Sequence, residues 1–429
     1  MIKLAAIADD LTGANDTALQ FAKRNIKSCV KINFTDNDFA EDKEVIVVDS
    51  DSRDLTADKA YAKVKSICET IKQYNVRCIY KKIDSTLRGN IGAEIKAVDD
   101  VFNPDLVIIA PAYPANERIT IGGYHLLKGK LLEFTEIANA PKTPVKESFV
   151  PNILTQQVPN QSLAILDFLT IKQGAEFVEA KIKNFVQAGK RWIVCDVVED
   201  KNFITVMDAV KSFNQILWVG SAGLADYITY FYNWTGKEEY KQDIRHGPVL
   251  ICAGSVSHTT QEQIKMFLKH ENVNLLKLDV SKILIDEKRL DKYIEQLKCM
   301  VNGSKNILIT TAQSDKDVQE AVNIGKKFNL SSKQVSEKVA TSMAKLVNAL
   351  DLSVLSGMVL TGGDIAVHIC KTIGADSIEI ISEIDTAIPL GYIKGNFLDK
   401  LFIVTKAGAF GKPDAFIKSV KAIKNIAVS

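Results

Sequence analysis

Residues 9–18 read DDLTGANDTA and follow directly on the apolar run Ile2–Ala8. Two adjacent carboxylates, Asp9 and Asp10, with Gly13 at a bend and helix-compatible sequence behind, are poor packing material. They are well suited to chemistry, because in an open parallel sheet ligands sit outside the carboxyl ends of the strands. The construction recurs: Val45–Val48 leads to Asp51 and Arg53, and Cys78–Tyr80 leads to Lys82, Asp84, Ser85 and Arg88. A fourth run, Asp105–Ala110, leads to Tyr113, Asn116 and Arg118. Strand ends in a parallel sheet point the same way, so these groups can converge on one crevice. The mixture suits a small, anionic, hydroxylated substrate. Arg53 and Arg88 can clamp a carboxylate through two parallel bonds, which lysine does less well. Aspartates accept hydrogen bonds from hydroxyls, and one of them can take the proton of an attacking hydroxyl. A single Asp after a strand more often caps a helix, and a single Asp–Arg pair is more often a surface ion pair. Four exits with this cargo favour a site.

The second half carries three glycine-bearing exits: GSVSHTT at Gly254–Thr260, TGGD at Thr361–Asp364 and TKAGAFG at Thr405–Gly411. Glycines let backbone N–H groups approach phosphate oxygens closely, and a following helix adds a favourable dipole. Ser255, Ser257 and Thr259 add hydroxyls, and Lys406 offsets phosphate charge. Asp364 could hold magnesium through water or simply cap the helix behind it. Each turn alone reads as an ordinary strand-to-helix connection; three together point to a nucleotide. No P-loop is present and no G-x-G-x-x-G follows the first strand, which disfavours a nicotinamide site. The five histidines are isolated, and no metal-spaced His/Cys cluster or G-x-S-x-G elbow occurs.

Alternation of apolar runs with helical periodicity, such as Thr56–Tyr74 with Thr56 at the N-cap, predicts doubly wound α/β layers with mainly parallel sheets. At 429 residues the chain exceeds one ordinary domain. The polar stretch YFYNWTGKEEYKQDIRHG breaks the rhythm, so we expect α/β domains at 1–235 and 248–429 joined by a linker at 236–247. A formal net charge of +2 gives no reason to expect nucleic acid or an anionic membrane as partner. The seven cysteines are scattered, without C-x-x-C spacing, and the N-terminal apolar run is too short for a signal peptide. No apolar run approaches the ~20 residues of a membrane span. A reducing cytoplasm is the expected compartment, and a homo-oligomeric state stays open.

These strings together resemble the four-carbon acid sugar kinase family over nearly the whole chain. The resemblance rests on ADDLTGAND, DSDSR, KKIDSTLRGN, PAYP, KESFVPNIL, GSAGLA, GSVSHTTQEQ, TGGD and TKAGAFGKPDAF. It implies an ATP-dependent kinase of a tetronate (threonate, erythronate or 3-oxo-tetronate) acting on the terminal hydroxyl. It further implies a sugar-acid domain first, a nucleotide domain second and the active site in the cleft between them. By position it implies substrate contacts from Asp10, Arg53, Lys82, Asp84 and Arg88, and ATP contacts from Ser255, Ser257, Thr361, Gly362, Gly363, Asp364 and Gly408. Asp9 and Ser85 join the substrate set from their strand exits. Asp84 is the expected base with Asp10 as its competitor, and Arg88 or Lys82 neutralises the transferring phosphoryl group with Mg2+ bridging the ATP oxygens. Two segments depart from the family's pattern. The family continues its PAYP segment with Gly-Arg-Thr where this chain has Glu117-Arg118-Ile119-Thr120, and it places a glycine shortly before Pro389 where this chain reads IDTAIPLG. Alternatives are a kinase of another small hydroxy acid, a nucleotide- and metabolite-binding regulator without turnover, and a nicotinamide oxidoreductase.

Overall fold

Continuous apolar runs fold as strands buried on both faces, and they set the architecture. In a computed structural model, residues 2–35, 43–140, 142–236, 246–254, 257–312, 314–395 and 400–426 are described. The chain divides into two units, Met1–Ser28 with Phe34–Lys237 and Cys29–Asn33 with Glu238–Ser429. Most of the stretch read as a linker, residues 237–245, lies outside the described residues.

Strands of the first half are Leu4–Ala8 (β1), Ser28–Lys31 (β2), Val45–Asp49 (β3), Cys78–Lys82 (β4), Leu106–Ala110 (β5), Arg118–Ile121 (β6), Tyr124–Leu127 (β7), Lys130–Leu131 (β8), Leu163–Leu166 (β9), Trp192–Cys195 (β10) and Ile216–Gly220 (β11). The first unit's sheet runs β3-β1-β4-β11-β5-β10-β9, every pairing parallel. Register makes the exits level: Ala8 pairs with Asp49 and with Lys82, and Gly220 pairs with Lys82 and Ala110. Asp9, the Ser50–Arg53 loop and the Ile83–Arg88 loop therefore leave the sheet at one height. A small antiparallel sheet, β6-β7-β8, follows β5; its two-residue Gly122-Gly123 turn has both glycines at positive φ (59° and 77°), the tight hairpin that glycine permits.

Beneath the exits lies a fully buried ion pair. Lys81 and Glu94 are 0% and 2% exposed in their side chains, with Nζ and Oε2 2.7 Å apart. Lys81 Nζ also donates to the carbonyls of Ile7 (3.0 Å) and Lys82 (2.7 Å). Glu94 Oε1 accepts from Ser52 Oγ at 2.8 Å, Ser52 meets Ser50 at 2.7 Å, and Ser50 Oγ donates to Ala8 O at 2.6 Å. Burial pushes the Glu94 carboxyl above its ordinary range despite the facing ammonium. One network thus ties β1, the loop after β3, the end of β4 and the helix Ile91–Phe102.

The second unit contains Val249–Ala253 (β12), Asn274–Lys277 (β13), Ile307–Thr310 (β14), Gly357–Thr361 (β15), Ser377–Asp385 (β16), Ile388–Lys394 (β17) and Leu401–Lys406 (β18). Its order is β13-β14-β12-β15-β18-β17-β16-β2. The first four pairings are parallel, and β17 is antiparallel to both neighbours. The core collects Val249, Ile251, Phe267, Val359, Val404 and Phe416. Residues Cys29–Asn33 count with this unit: Ile32 N donates to Asp376 O at 3.0 Å. The β16–β17 turn lies within one of the two segments that depart from the family pattern. Ala387 there is buried with φ of 58°, a left-handed conformation that glycine adopts without strain.

Glu94→Gln leaves the Lys81 ammonium buried without a counter-charge. It is expected to lower the stability of the first unit by about 3–5 kcal/mol in urea unfolding, and adding Lys81→Met, which removes the orphaned charge, is expected to restore part of that loss.

Candidate functional site

Arg53 is the hub of the first unit's exits. Its Nε donates to Asp9 Oδ2 at 2.6 Å, its Nη1 to Asp10 Oδ2 at 2.7 Å, and its Nη2 lies 3.3 Å from Asp84 Oδ1. All three guanidinium nitrogens thus face the protein's own carboxylates. Burial works against the Arg53 charge, but Asp10, Asp9 and Asp84 outweigh it and hold the group protonated. Gly89 makes room for this side chain: it sits at φ of 94°, and a Cβ added there would lie 3.1 Å from Arg53 Cγ.

Asp84 is saturated with donors. Arg88 reaches it through Nε and Nη2, both at 2.8 Å, and Thr86 donates its hydroxyl at 2.5 Å and its backbone N–H at 3.2 Å. Burial pushes Asp84 up, but Arg88, Arg53 and these bonds hold it well below the usual carboxylate range. Asp10 differs. Its Oδ1 caps the helix Leu11–Ala22 by accepting from Gly13 N at 2.8 Å. Burial, together with the neighbouring Asp9 and Asp84 charges, raises its carboxyl above the ordinary value in spite of Arg53 and Lys82. For Asp9 burial also pushes upward, yet Arg53, Lys82 and Lys81 prevail and lower it. Asp9 Oδ1 is buried without a hydrogen-bond partner. The adjacent pair therefore divides into a fixed carboxylate and a more basic one.

Lys82 supplies the remaining charge. It is buried, its Nζ donates to Ile83 O at 2.9 Å, and a Cβ at Gly13 would come within 2.7 Å of that nitrogen. Three carboxylates and three cations (Arg53, Lys82, Arg88) so come together at one end of the sheet. Ser85 is present through its carbonyl, which the buried His125 holds with Nε2 at 3.0 Å while Thr120 meets Nδ1 at 2.9 Å. Nε2 must carry a proton to bond a carbonyl, and the Thr120 hydroxyl can serve Nδ1 as donor when the ring is neutral. Burial lowers the His125 pKa to about 4. Tyr113 and Arg118 close a turn on each other, Tyr113 N donating to Arg118 O at 2.8 Å. Sequence reading missed Ser52, Thr86, Glu94 and His125; of these only Ser52 and Thr86 lie in strings already singled out.

In the second unit the exits are also level, with Thr361 paired to Ala253 and to Lys406. Ser257 caps the helix His258–His270, its Oγ accepting from Thr260 N at 3.2 Å and donating to Gly408 O at 2.6 Å. Thr260 Oγ1 donates to the same carbonyl at 2.9 Å. Gln263, wholly buried, donates to the carbonyls of Phe410, Gly411 and Lys412 at 3.0–3.2 Å, so two of the three glycine turns are bound into one piece. Gly362, at φ of 101°, precedes the helix Gly363–Thr372 and donates to Lys406 O at 3.0 Å. Asp364 lies in that helix's first turn. Thr361 Oγ1 is buried with no hydrogen-bond partner. Lys406 is buried too: among the described residues its Nζ donates to the carbonyls of Ala407 (2.9 Å) and Gly408 (3.2 Å), and the Phe416 ring centre is 6.0 Å away. Burial lowers its pKa to about 7. Ser255 lies outside the described residues. Among the described residues no three His, Cys, Asp or Glu side chains cluster as a metal cage, and no helix is long and apolar enough to cross a membrane.

Residues 4–228 match the profile of a sugar-binding N-terminal domain and residues 250–416 that of a nucleotide-binding C-terminal domain. A D-threonate kinase from Salmonella typhimurium is 30% identical over 99% of both chains. A D-erythronate kinase from Heliobacterium modesticaldum is 28% identical over 97% of this chain and 95% of its own. A 3-oxo-tetronate kinase from Pectobacterium atrosepticum is 25% identical over 98% of this chain and 99% of its own. Among solved structures, a Salmonella typhimurium LT2 protein superposes with a TM-score of 0.83 at 21% identity, covering 98% of this chain and all of its own. A Haemophilus influenzae protein gives 0.74 at 22%, covering 99% and 100%. These two establish the mixed α/β fold.

The neutral His125 makes stability acid-sensitive. Its folded pKa lies below the unfolded value, so the unfolded chain binds the extra proton between pH 6.5 and 4 and stability falls as pH drops through that window. Between pH 7 and pH 5 the wild type is expected to lose about 2 kcal/mol more than His125→Gln in denaturant titrations.

Proposed function

Because the chain belongs to the four-carbon acid sugar kinase family, we propose that it transfers the γ-phosphoryl group of ATP to the terminal hydroxyl of a four-carbon sugar acid. The first unit binds the acid and the second binds the nucleotide. Relatives at 30% and 28% identity are named for D-threonate and D-erythronate, against 25% for the 3-oxo-tetronate enzyme, so the reduced D-acids are the first candidates. The observation that carries the reading is the balanced cluster around Arg53, in which one buried carboxylate is more basic than its neighbours.

Asp10 is the base this geometry favours over Asp84. A carboxylate held by two arginines and a threonine is a weak proton acceptor, whereas the raised Asp10 sits closer to working pH and can take the proton of the attacking hydroxyl. Asp84 instead fixes Arg88, and Lys82 and the uncommitted Nη1 of Arg88 remain to meet anionic groups. In the second unit, the Gly362–Gly363 turn, the Thr361 hydroxyl and Lys406 suit the phosphate tail. Magnesium fits the donor set as a metal arriving with the nucleotide's phosphates, with Asp364 as the protein carboxylate to meet it; it would offset phosphate charge. A nicotinamide reading finds no support in the glycine pattern.

A coupled ADP-release assay against D-threonate, L-threonate, D-erythronate, L-erythronate and 3-oxo-tetronates tests the activity, and silence across the panel would sink it. Asparagine still caps a helix, so Asp10→Asn is expected to fold normally while lowering kcat by about 100-fold or more with little change in KM. Near-normal turnover in that variant would return the role to Asp84. The acid limb of the wild-type kcat profile is expected above the usual aspartate range.

Lys406 gives a second test. Phosphate supplies the counter-charge that its pocket lacks, so ADP binding at pH 8 is expected to take up about one proton, read by calorimetry in buffers of different ionisation enthalpy. Lys406→Met is expected to abolish that uptake and weaken binding while leaving the unliganded protein as stable as the wild type or more so, because a buried uncompensated amine is removed.

A further inference from the structure

The segment KESFVPNIL and the residues just after it are not used by the reading above. From Val150 on they form the helix Val150–Gln157, whose last residue makes an uncommon set of bonds. Gln157 Oε1 accepts from the backbone N–H groups of Gly92 (2.8 Å) and Ala93 (3.4 Å), and its Nε2 donates to Gly89 O at 3.1 Å. Gln157 therefore caps a helix 65 residues away in sequence, Ile91–Phe102.

That helix takes its cap from outside, since its own N-cap residue does not supply one. Asn90 makes no side-chain cap bond. Its Nδ2 is shared among the carbonyls of Leu55 (2.9 Å), Ser52 (3.1 Å) and Arg53 (3.4 Å). An asparagine at this position ordinarily satisfies the helix's own N–H groups. Here it laces the loop carrying Arg53 to the loop carrying Arg88, and Gln157 takes over the capping. Gly89 stands between these two side chains: its carbonyl is held by Gln157, and its α-carbon is the surface on which the Arg53 stem lies. Both amides line a cavity of about 480 Å3, together with Arg53, Leu87, Gly89 and Lys146.

We infer that Gln157 is a positioning residue for sugar-acid recognition: by clamping the Gly89 carbonyl it fixes the Arg88-Gly89-Asn90 turn and, through it, the placement of Arg53 and Arg88. The inference rests on the proposed kinase reading for its kinetic consequence, but its structural consequence stands apart. The two halves of the amide have separable jobs. A helix cap needs only the acceptor; the Gly89 clamp needs the donor.

Gln157→Glu separates them. The carboxylate keeps the acceptor at a helix N-terminus, where negative charge is favourable, and loses the donor to Gly89. This variant is expected to unfold at a urea concentration no lower than the wild type. Its KM for the sugar acid is expected to rise by about 10- to 100-fold, with the KM for ATP within about two-fold of wild type. Hydrogen exchange read by mass spectrometry is expected to quicken in peptides spanning 52–55 and 86–90 while 94–102 stays protected. Gln157→Ala loses both jobs and is expected to add faster exchange in 91–94 and lower stability. Wild-type exchange in 52–55 and 86–90 of Gln157→Glu overturns the inference whatever the activity. So does an unchanged KM for the acid in an active enzyme. A wild type inert toward every acid would strike the kinase reading alone, since the exchange result decides the clamp independently.

Discussion

Burial of three carboxylates at one end of a sheet is the constraint on which the first unit depends. Asp9, Asp10 and Asp84 are each largely withdrawn from water, and an isolated buried carboxylate would neutralise itself by taking up a proton. Arg53 prevents this by facing all three, and Arg88 and Lys82 complete the balance. Its planar fork can address several acceptors at fixed angles, which a lysine cannot do. The sheet's register brings the three acids level, and the Lys81–Glu94 pair fixes the loop that delivers Arg53. Removing any one member leaves a charge without its partner, so the cluster is held as a unit before any ligand arrives. Such fixed dipoles and charges are what a reacting centre requires.

The second unit follows the opposite electrostatic logic. Lys406 is more deeply buried than Arg53, and its ammonium faces carbonyl oxygens and the face of Phe416 in place of carboxylates. Its neighbours Ser257, Thr260 and Gln263 bond the carbonyls of the 408–412 loop, which aligns that loop without neutralising the lysine. The Thr361 hydroxyl is likewise left without a partner. A cation without a counter-ion and a hydroxyl without a bond among the described residues would both gain from an anionic ligand. The first unit's cluster balances its own charges; the second presents a buried cation and a buried hydroxyl that its described residues leave uncompensated.

The strand exits were legible in the sequence because buried parallel strands are unbroken apolar runs, and a charged string after such a run has to sit at the sheet's edge. Asp9, Asp10, Arg53, Lys82, Asp84 and Arg88 were found that way. The identity of each one's partner was not legible. Spacing suggested two arginine forks open to a substrate; the fold turns Arg53 wholly, and Arg88 in large part, onto aspartates. Glu94 and Gln157 were invisible for a different reason. A polar residue in an amphipathic helix is assigned to solvent by its period, and only tertiary packing reveals that these two face buried backbone and a buried lysine. The β6–β8 hairpins escaped because short strands joined by tight turns lack the long apolar signature; the seven-residue β17 escaped because Pro389 and Gly391 interrupt its apolar run.

The basicity of Asp10 joins these observations into one argument. Capping fixes Oδ1 on Gly13, and Arg53 holds Oδ2, so neither oxygen is free to rotate toward a proton on its own. Proton affinity then depends on how burial and the two acidic neighbours weigh against Arg53 and Lys82, and a small displacement of the guanidinium changes that balance directly. Arg53 is held at its stem by the Gly89 α-carbon and at its backbone carbonyl by Asn90. Whatever fixes Gly89 therefore tunes the Asp10 carboxyl from outside the charged cluster. A helix cap contributed by a distant amide becomes, by this route, part of the site's electrostatics rather than only of its stability.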